Sequence, residues 1–113
     1  MSQMAQPDVN VDFNVAAEPV ENNIHEVILN IEIKATLNDE TMFIAELSYA
    51  GLVQVTNAVD DVLKQILMIE APRHLFPFAR AIVAEAIRDG GFPPLLLNPI
   101  DFQGYYRQTQ QNG

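Results

Sequence analysis

The sequence predicts an α+β fold, an antiparallel β-meander of three to four strands followed by helices packed on one face of the sheet. Three observations carry this. Through the first half, apolar residues alternate with polar ones at period two. From Val59 to Ile87 they recur at intervals of three and four. The breaks between alternating runs are short, which suits hairpins rather than crossover connections. The chain has 113 residues, a common length for one domain, and 49% hydrophobic with 19% charged residues is a globular composition. No linker, repeat or low-complexity block divides it. Residues 1–113 therefore read as a single domain, with 1–7 and 108–113 as polar, frayed ends.

The first strand is Val9 to Val15, where Val9, Val11, Phe13 and Val15 alternate with Asn10, Asp12 and Asn14. Ala17 to Asn23 breaks the pattern, with Pro19 and the Asn pair as turn formers. The second strand, Glu26 to Ala35, puts Val27, Leu29, Ile31 and Ile33 on one face and Ile28, Asn30, Glu32 and Lys34 on the other. Leu37-Asn38-Asp39-Glu40 is a hairpin connection. The third strand, Thr41 to Tyr49, sets Phe43, Ala45, Leu47 and Tyr49 opposite Met42, Ile44, Glu46 and Ser48. Gly51 interrupts, and Leu52 to Thr56 alternates again as a fourth strand.

The second half reads as helices. Thr56 or Asn57 caps a segment bearing Val59, Val62, Leu63, Ile66 and Leu67 on one face, with Asp60 able to pair with Lys64; Pro72 closes it. A stronger helix runs from His74 to Asp89 on the stripe Leu75, Phe78, Ala79, Ile82, Val83, Ala86 and Ile87, with Pro77 tolerated in its first turn. Gly90-Gly91 supplies a left-handed stop. Phe92 to Pro99 is extended, since three prolines do not fit a helix interior, and Asp101 caps a short last helix bearing Phe102, Tyr105 and Tyr106.

Charge and motifs exclude several classes of function. Fifteen Asp and Glu against six Lys and Arg leave a net charge of −9, and the six cations are scattered singly, so a phosphate backbone is a poor partner. The longest strictly apolar run, Leu95 to Leu97, is far short of the roughly 20 residues that span a bilayer. MSQMAQPDV has neither the basic start nor the apolar stretch of a signal peptide. With no cysteine there is no disulfide, thiolate metal site or cysteine nucleophile. These features read as a soluble, acidic, intracellular domain. No nucleophile elbow, phosphate loop, dinucleotide fingerprint or zincin motif occurs. His25 beside Glu26, and His74 four residues after Glu70, are the only His–carboxylate neighbours, and they read as solvated or capping side chains rather than as acid–base pairs. No catalytic, cofactor or metal residue is assigned, and the chain is expected not to be an enzyme.

The acidic first half is more informative. Through residue 46 it holds Asp8, Asp12, Glu18, Glu21, Glu26, Glu32, Asp39, Glu40 and Glu46 against Lys34 alone. Asp12, Glu32 and Glu46 fall on the polar strand face, which is either a plain solvated surface or a docking face for a basic partner. Ile28, Met42 and Ile44 on that face suggest partial cover. The FPPLLL stretch beside the strong helix either fills the core or walls an apolar groove for an extended chain.

The run from Glu70 to Tyr106 closely resembles the SecB family of bacterial export chaperones. Pro72, Leu75, Phe76, Pro77, Phe78, Ala79 and Arg80 match one part of the family signature. Gly91, Phe92, Pro93, Leu95, Leu97, Pro99, Ile100, Asp101 and Phe102 match the next. The strand from Glu26, the hairpin at Glu40 to Phe43 and the strand down to Gly51 also fit, so the resemblance covers residues 6 to about 107.

That resemblance implies a cytoplasmic, ATP-independent holdase without cofactor, which captures unfolded preproteins and hands them to the SecA translocation ATPase. It implies a homo-oligomer, a tetramer built as a dimer of dimers. Glu32, Ile44 and Glu46 would belong to the acidic face that docks SecA, and Ala45, Leu47 and Tyr49 to an oligomer interface. Phe76, Phe78, Phe92, Leu95 and Leu97 would line the substrate groove. The family's usual first strand, aromatic-rich and acidic, has no counterpart ahead of Gln6-Pro7-Asp8-Val9. The alternative expectation is therefore a SecB-fold scaffold or adaptor that has lost full holdase or SecA-docking activity.

Overall fold

The computed structural model of the chain describes residues 7–93 and 95–112. Three long strands, β1 (Asp8–Glu21), β2 (Ile24–Leu37) and β3 (Glu40–Gln54), form one antiparallel sheet in the order β1-β2-β3. The expected alternation builds the sheet. Val27, Leu29, Ile31, Ile33 and Ala35 of the central strand point to one face and are buried almost completely. Their sequence neighbours Glu32 and Lys34 are exposed on the other. Asn38 and Asp39 both adopt positive φ, 53° and 65°, the geometry of a tight two-residue hairpin whose twist matches its strands.

Two expectations about the strands need correction. The first strand does not stop near Ala17. It continues to Glu21, with Pro19 opposite His25 and a register shift between Pro19 and Glu21. A proline is tolerated there because β1 is an edge strand and the ladder is already irregular at this point. There is also no fourth strand at Leu52: β3 passes through Gly51 without a break. At Gly51 a side chain would come within 2.9 Å of the Leu75 Cδ2 atom, so the glycine marks where a helix lies close on the strand.

The helical half departs further. Residues 60–89 form one continuous helix of three parts: α1 (Asp60–Gln65), a wider π turn (Ile66–Glu70) and α2 (Ala71–Asp89). Pro72 does not close a helix but stands in the first turn of α2, and Pro77 is inside α2 rather than at its start. Neither Thr56 nor Asn57 caps α1. Asn57 takes a left-handed φ of 60°, and Val59 precedes the helix with no side-chain cap. Asp60 and Lys64 make no ion pair.

The stop at the other end is as expected. Gly91 has φ 91°, the Phe92 N–H donates to the Ile87 carbonyl and the Gly91 N–H to that of Arg88, the paired bonds of a Schellman ending. Phe92 to Pro99 carries no helix or strand at any described position. Asp101 then caps α3 (Phe102–Asn112), its Oδ1 accepting the Gly104 N–H at 3.0 Å. α3 takes in Gln108 to Asn112, read from sequence as frayed; of the expected frayed N-terminus, residues 1–6 lie outside the described residues.

The helices cover one face of the sheet only. Val15 and the buried side of β2 meet Leu67, Ile69, Phe76, Ala79, Val83 and Ile87 from the helix, with Leu97 and Phe102 completing the core. Among the described residues nothing covers the other face, and the molecule is long and thin, 62 × 30 × 18 Å.

Candidate functional site

The bare face of the sheet is organised in rows set by strand register. Asp12, Glu32 and Glu46 stand directly opposite one another on β1, β2 and β3, three carboxylates in one line, all exposed. The next row is Asn14, Asn30 and Ser48, linked by hydrogen bonds from Asn30 Nδ2 to Asn14 Oδ1 at 2.8 Å and from the Ser48 hydroxyl to Asn30 Oδ1. On the far side of the carboxylates lie Asn10, Lys34 and Ile44, and Ile44 is 56% exposed. The two central rows line a shallow concavity of about 530 Å³. Like charges placed directly opposite across strands oppose pairing, so this arrangement runs against sheet stability. The register places Glu32, Glu46 and Ile44 side by side on this face, with Asp12 of β1 in line with the two glutamates. The place of Asp12 was readable in the alternation of β1, but its alignment was not.

A second surface lies on the helical side. Val11 and Phe13 of β1, Leu97 and Ile100 of the extended segment, and Tyr105 of α3 enclose a cleft of about 560 Å³. Its floor is aromatic. Phe13 packs edge-on to Phe102 at 5.6 Å and tilted on Tyr105 at 4.9 Å between ring centres.

Of the residues expected to line a groove, Leu97 alone borders this cleft. Phe76 is core, 6% exposed, edge-on to Phe102 and beneath the Arg80 guanidinium at 5.7 Å. Phe92 is half-buried against Phe43, Leu95 is half-buried, and Phe78 is 61% exposed at the edge of α2 beside Tyr49. The missed cleft residues, Val11, Phe13, Ile100 and Tyr105, had one signal in the sequence, apolar character. Nothing in a linear pattern says that α3 returns to β1.

Ala45, Leu47 and Tyr49 face the helices from the edge strand β3 and are only half-buried. Tyr49 stacks on the exposed ring of Phe78 at 6.4 Å and 15°. With Ile82, 41% exposed, these residues leave an apolar margin where β3 and α2 meet.

The two histidines stand apart from any chemical grouping. His74 is exposed on α2, and its expected neighbour Glu70 instead accepts a hydrogen bond from Arg73 at 2.9 Å, the one ion pair among the described residues. His25 opens β2 with Nδ1 buried and without a hydrogen-bond partner. Among the described residues no group of three or more His, Asp or Glu is placed to hold a metal ion, and no helix is long and apolar enough to cross a membrane.

Comparison with known proteins agrees with this architecture. The family model described as preprotein translocase subunit SecB matches residues 1–113. A "Protein-export protein SecB" of Sphingopyxis alaskensis is 51% identical over 93% of this chain and 61% of its own length. One of Rhodopseudomonas palustris is 50% identical over 98% of this chain and 73% of its own. The chain thus spans about three-fifths to three-quarters of the length of these relatives. Among solved structures, a SecB-like chaperone of Mycobacterium tuberculosis, in complex with a ChAD peptide from an antitoxin, superposes with a TM-score of 0.71. At 17% identity, over 88% of this chain and 77% of that one, it shares the fold.

Proposed function

The chain belongs to the SecB family, and from that premise we propose that it is an ATP-independent holdase of the cytoplasm that binds unfolded preproteins and delivers them to a SecA-type translocation ATPase. The observation that carries this reading is identity of about half, over nearly the whole chain, with proteins named for protein export. SecB proteins are not enzymes, and the reading calls for no cofactor.

The surfaces suit the two tasks. The cleft between β1, the Leu97 to Ile100 segment and α3 offers aromatic and aliphatic walls, with Asn98, Asp101 and Gln108 at its polar margin. Many weak apolar contacts of that kind favour broad acceptance of extended chain over a single sequence. The half-open Phe92 and Leu95 extend apolar surface along the helical side as a second part of the groove, while Phe78, expected there, stacks on Tyr49 and goes with the β3 margin instead. The Asp12, Glu32 and Glu46 row, with Ile44 beside it, is the face we assign to SecA: opposite charge speeds encounter and fixes register more than it adds affinity. Ala45, Leu47 and Tyr49 with the exposed Phe78 form the margin we assign to assembly of a tetramer.

The test is dilution of a chemically denatured protein into buffer with a stoichiometric amount of the chain and no ATP, followed by light scattering. Suppressed aggregation, weakened by Phe13→Ala or Tyr105→Ala, is the expected result. An assembled chain that leaves aggregation unchanged would instead be a SecB-fold scaffold. Binding to SecA is expected to weaken steeply as salt rises through the range where the Debye length falls below about 10 Å.

A further inference from the structure

We propose that Pro72 acts as a register device for the long helix, holding one extra residue in the turn before it and so setting which face the α1 arm presents. At the π turn the Ala71 N–H donates to the Ile66 carbonyl, five residues back, where an α-helix would use Leu67. Just before it, the Ile66 N–H is shared between the carbonyls of Val62 and Leu63, so the arm itself is ordinary helix.

The cause lies in the next residue. In an unbroken α-helix the Pro72 ring would press on the Met68 carbonyl and offer it no N–H. Widening the preceding turn moves that carbonyl aside. Pro77 poses the same problem to the Arg73 carbonyl but is met without a wide turn. The difference is burial. Pro77 is exposed, and a helix can relieve such a ring by bending away from it and opening its solvent side, where water meets the freed carbonyl. Pro72 is among the most completely buried residues of the core, and the turn itself must yield.

The arm does not impose the register, since α1 buries none of its residues. It does feel the result. Removing one residue from a helix rotates everything upstream by about 100° and shifts it by about 1.5 Å. In the present register Val62, Gln65 and Ile66 face Gln103 of α3 across a notch of about 240 Å³ that also holds Glu70 and Arg73. In the α register those three turn away from α3, and Val59, 69% exposed, is re-aimed with them. One buried proline therefore decides which apolar residues of the arm meet α3 and which are offered outward.

The experiment reads the hydrogen bond directly, by through-bond coupling between amide nitrogen and carbonyl carbon in NMR of the full, deuterated chain. In the unaltered chain Ala71 is expected to couple to Ile66. In Pro72→Ala the partner is expected to shift to Leu67. In Val62→Ser, which alters only the exposed arm, it is expected to stay at Ile66. Coupling of Ala71 to Leu67 in the unaltered chain, retention of Ile66 in a folded Pro72→Ala, or a shift in Val62→Ser would each overturn the proposal. The last variant keeps the test open should Pro72→Ala fail to fold.

Discussion

Glu32 sits between two carboxylates, with Asp12 on one side and Glu46 on the other, and no cation in its row. In a solvated sheet such opposition costs each pair a few tenths of a kcal/mol. Glu32→Gln, which keeps shape and removes the central charge, is therefore expected to raise the melting temperature by a few degrees, checked by calorimetry at low salt. The same change is expected to slow association with SecA and flatten its salt dependence. A rise in stability with loss of docking would mean the row is kept for its partner; a fall in stability would mean Glu32 is a plain structural residue. At this scale the sequence was legible for composition and face. Asp12, Glu32 and Glu46 were visible as polar-face residues, but that they form one line depends on two hairpin registers which no local spacing states.

The two terminal elements show how local signals succeed and fail. Asp101 was readable as a cap because capping is settled within one turn, and it accepts the Gly104 N–H as expected. Pro72 was misread as a stop because a proline's cost in isolation is large, about 3 kcal/mol in a helix interior, and burial in a core is not written in the neighbouring residues. α3 is held mainly through Phe102, which is 1% exposed and lies edge-on to both Phe13 and Phe76. Phe102→Ala is expected to cost about 3–5 kcal/mol, in the range for buried aromatics, and to show as a lower denaturation midpoint. It is also expected to release α3 from β1 and widen the cleft, which amide exchange across residues 102–112 would report.

As a whole the molecule is polarised. The three strands and their hairpins hold nine of the fifteen carboxylates, with the Asp12, Glu32 and Glu46 row on the bare face, while five of the six cations lie on the helical side. Among the described residues two strand edges of 14 and 15 residues remain unpaired, and an apolar margin runs beside β3. Such edges and margins are satisfied by association. Light scattering over a dilution series is expected to give a mass near four chains. Phe78→Glu, at a position 61% exposed in the single chain, is expected to lower that mass without unfolding the protein, checked by circular dichroism on the same sample. An unchanged mass would move the assembly surface elsewhere, to the strand edges.

By itself the sequence determined the class of fold, the inward and outward faces of every strand, the hairpin at Asn38-Asp39, the glycine stop at Gly91 and the family. All of these follow from periodicity, backbone freedom or motif, which act over a few residues. Only the tertiary structure decided that β1 runs on through Pro19, that β3 passes Gly51, that Pro72 is swallowed by a continuous helix, and that Phe76 belongs to the core while Phe13 and Tyr105 wall the cleft. Each of those outcomes depends on what lies across from a residue: an open edge beside Pro19, Leu75 above Gly51, a packed core around Pro72, α3 folded back on β1. Proximity between segments distant in the chain is set by global packing, and local patterns carry no record of it.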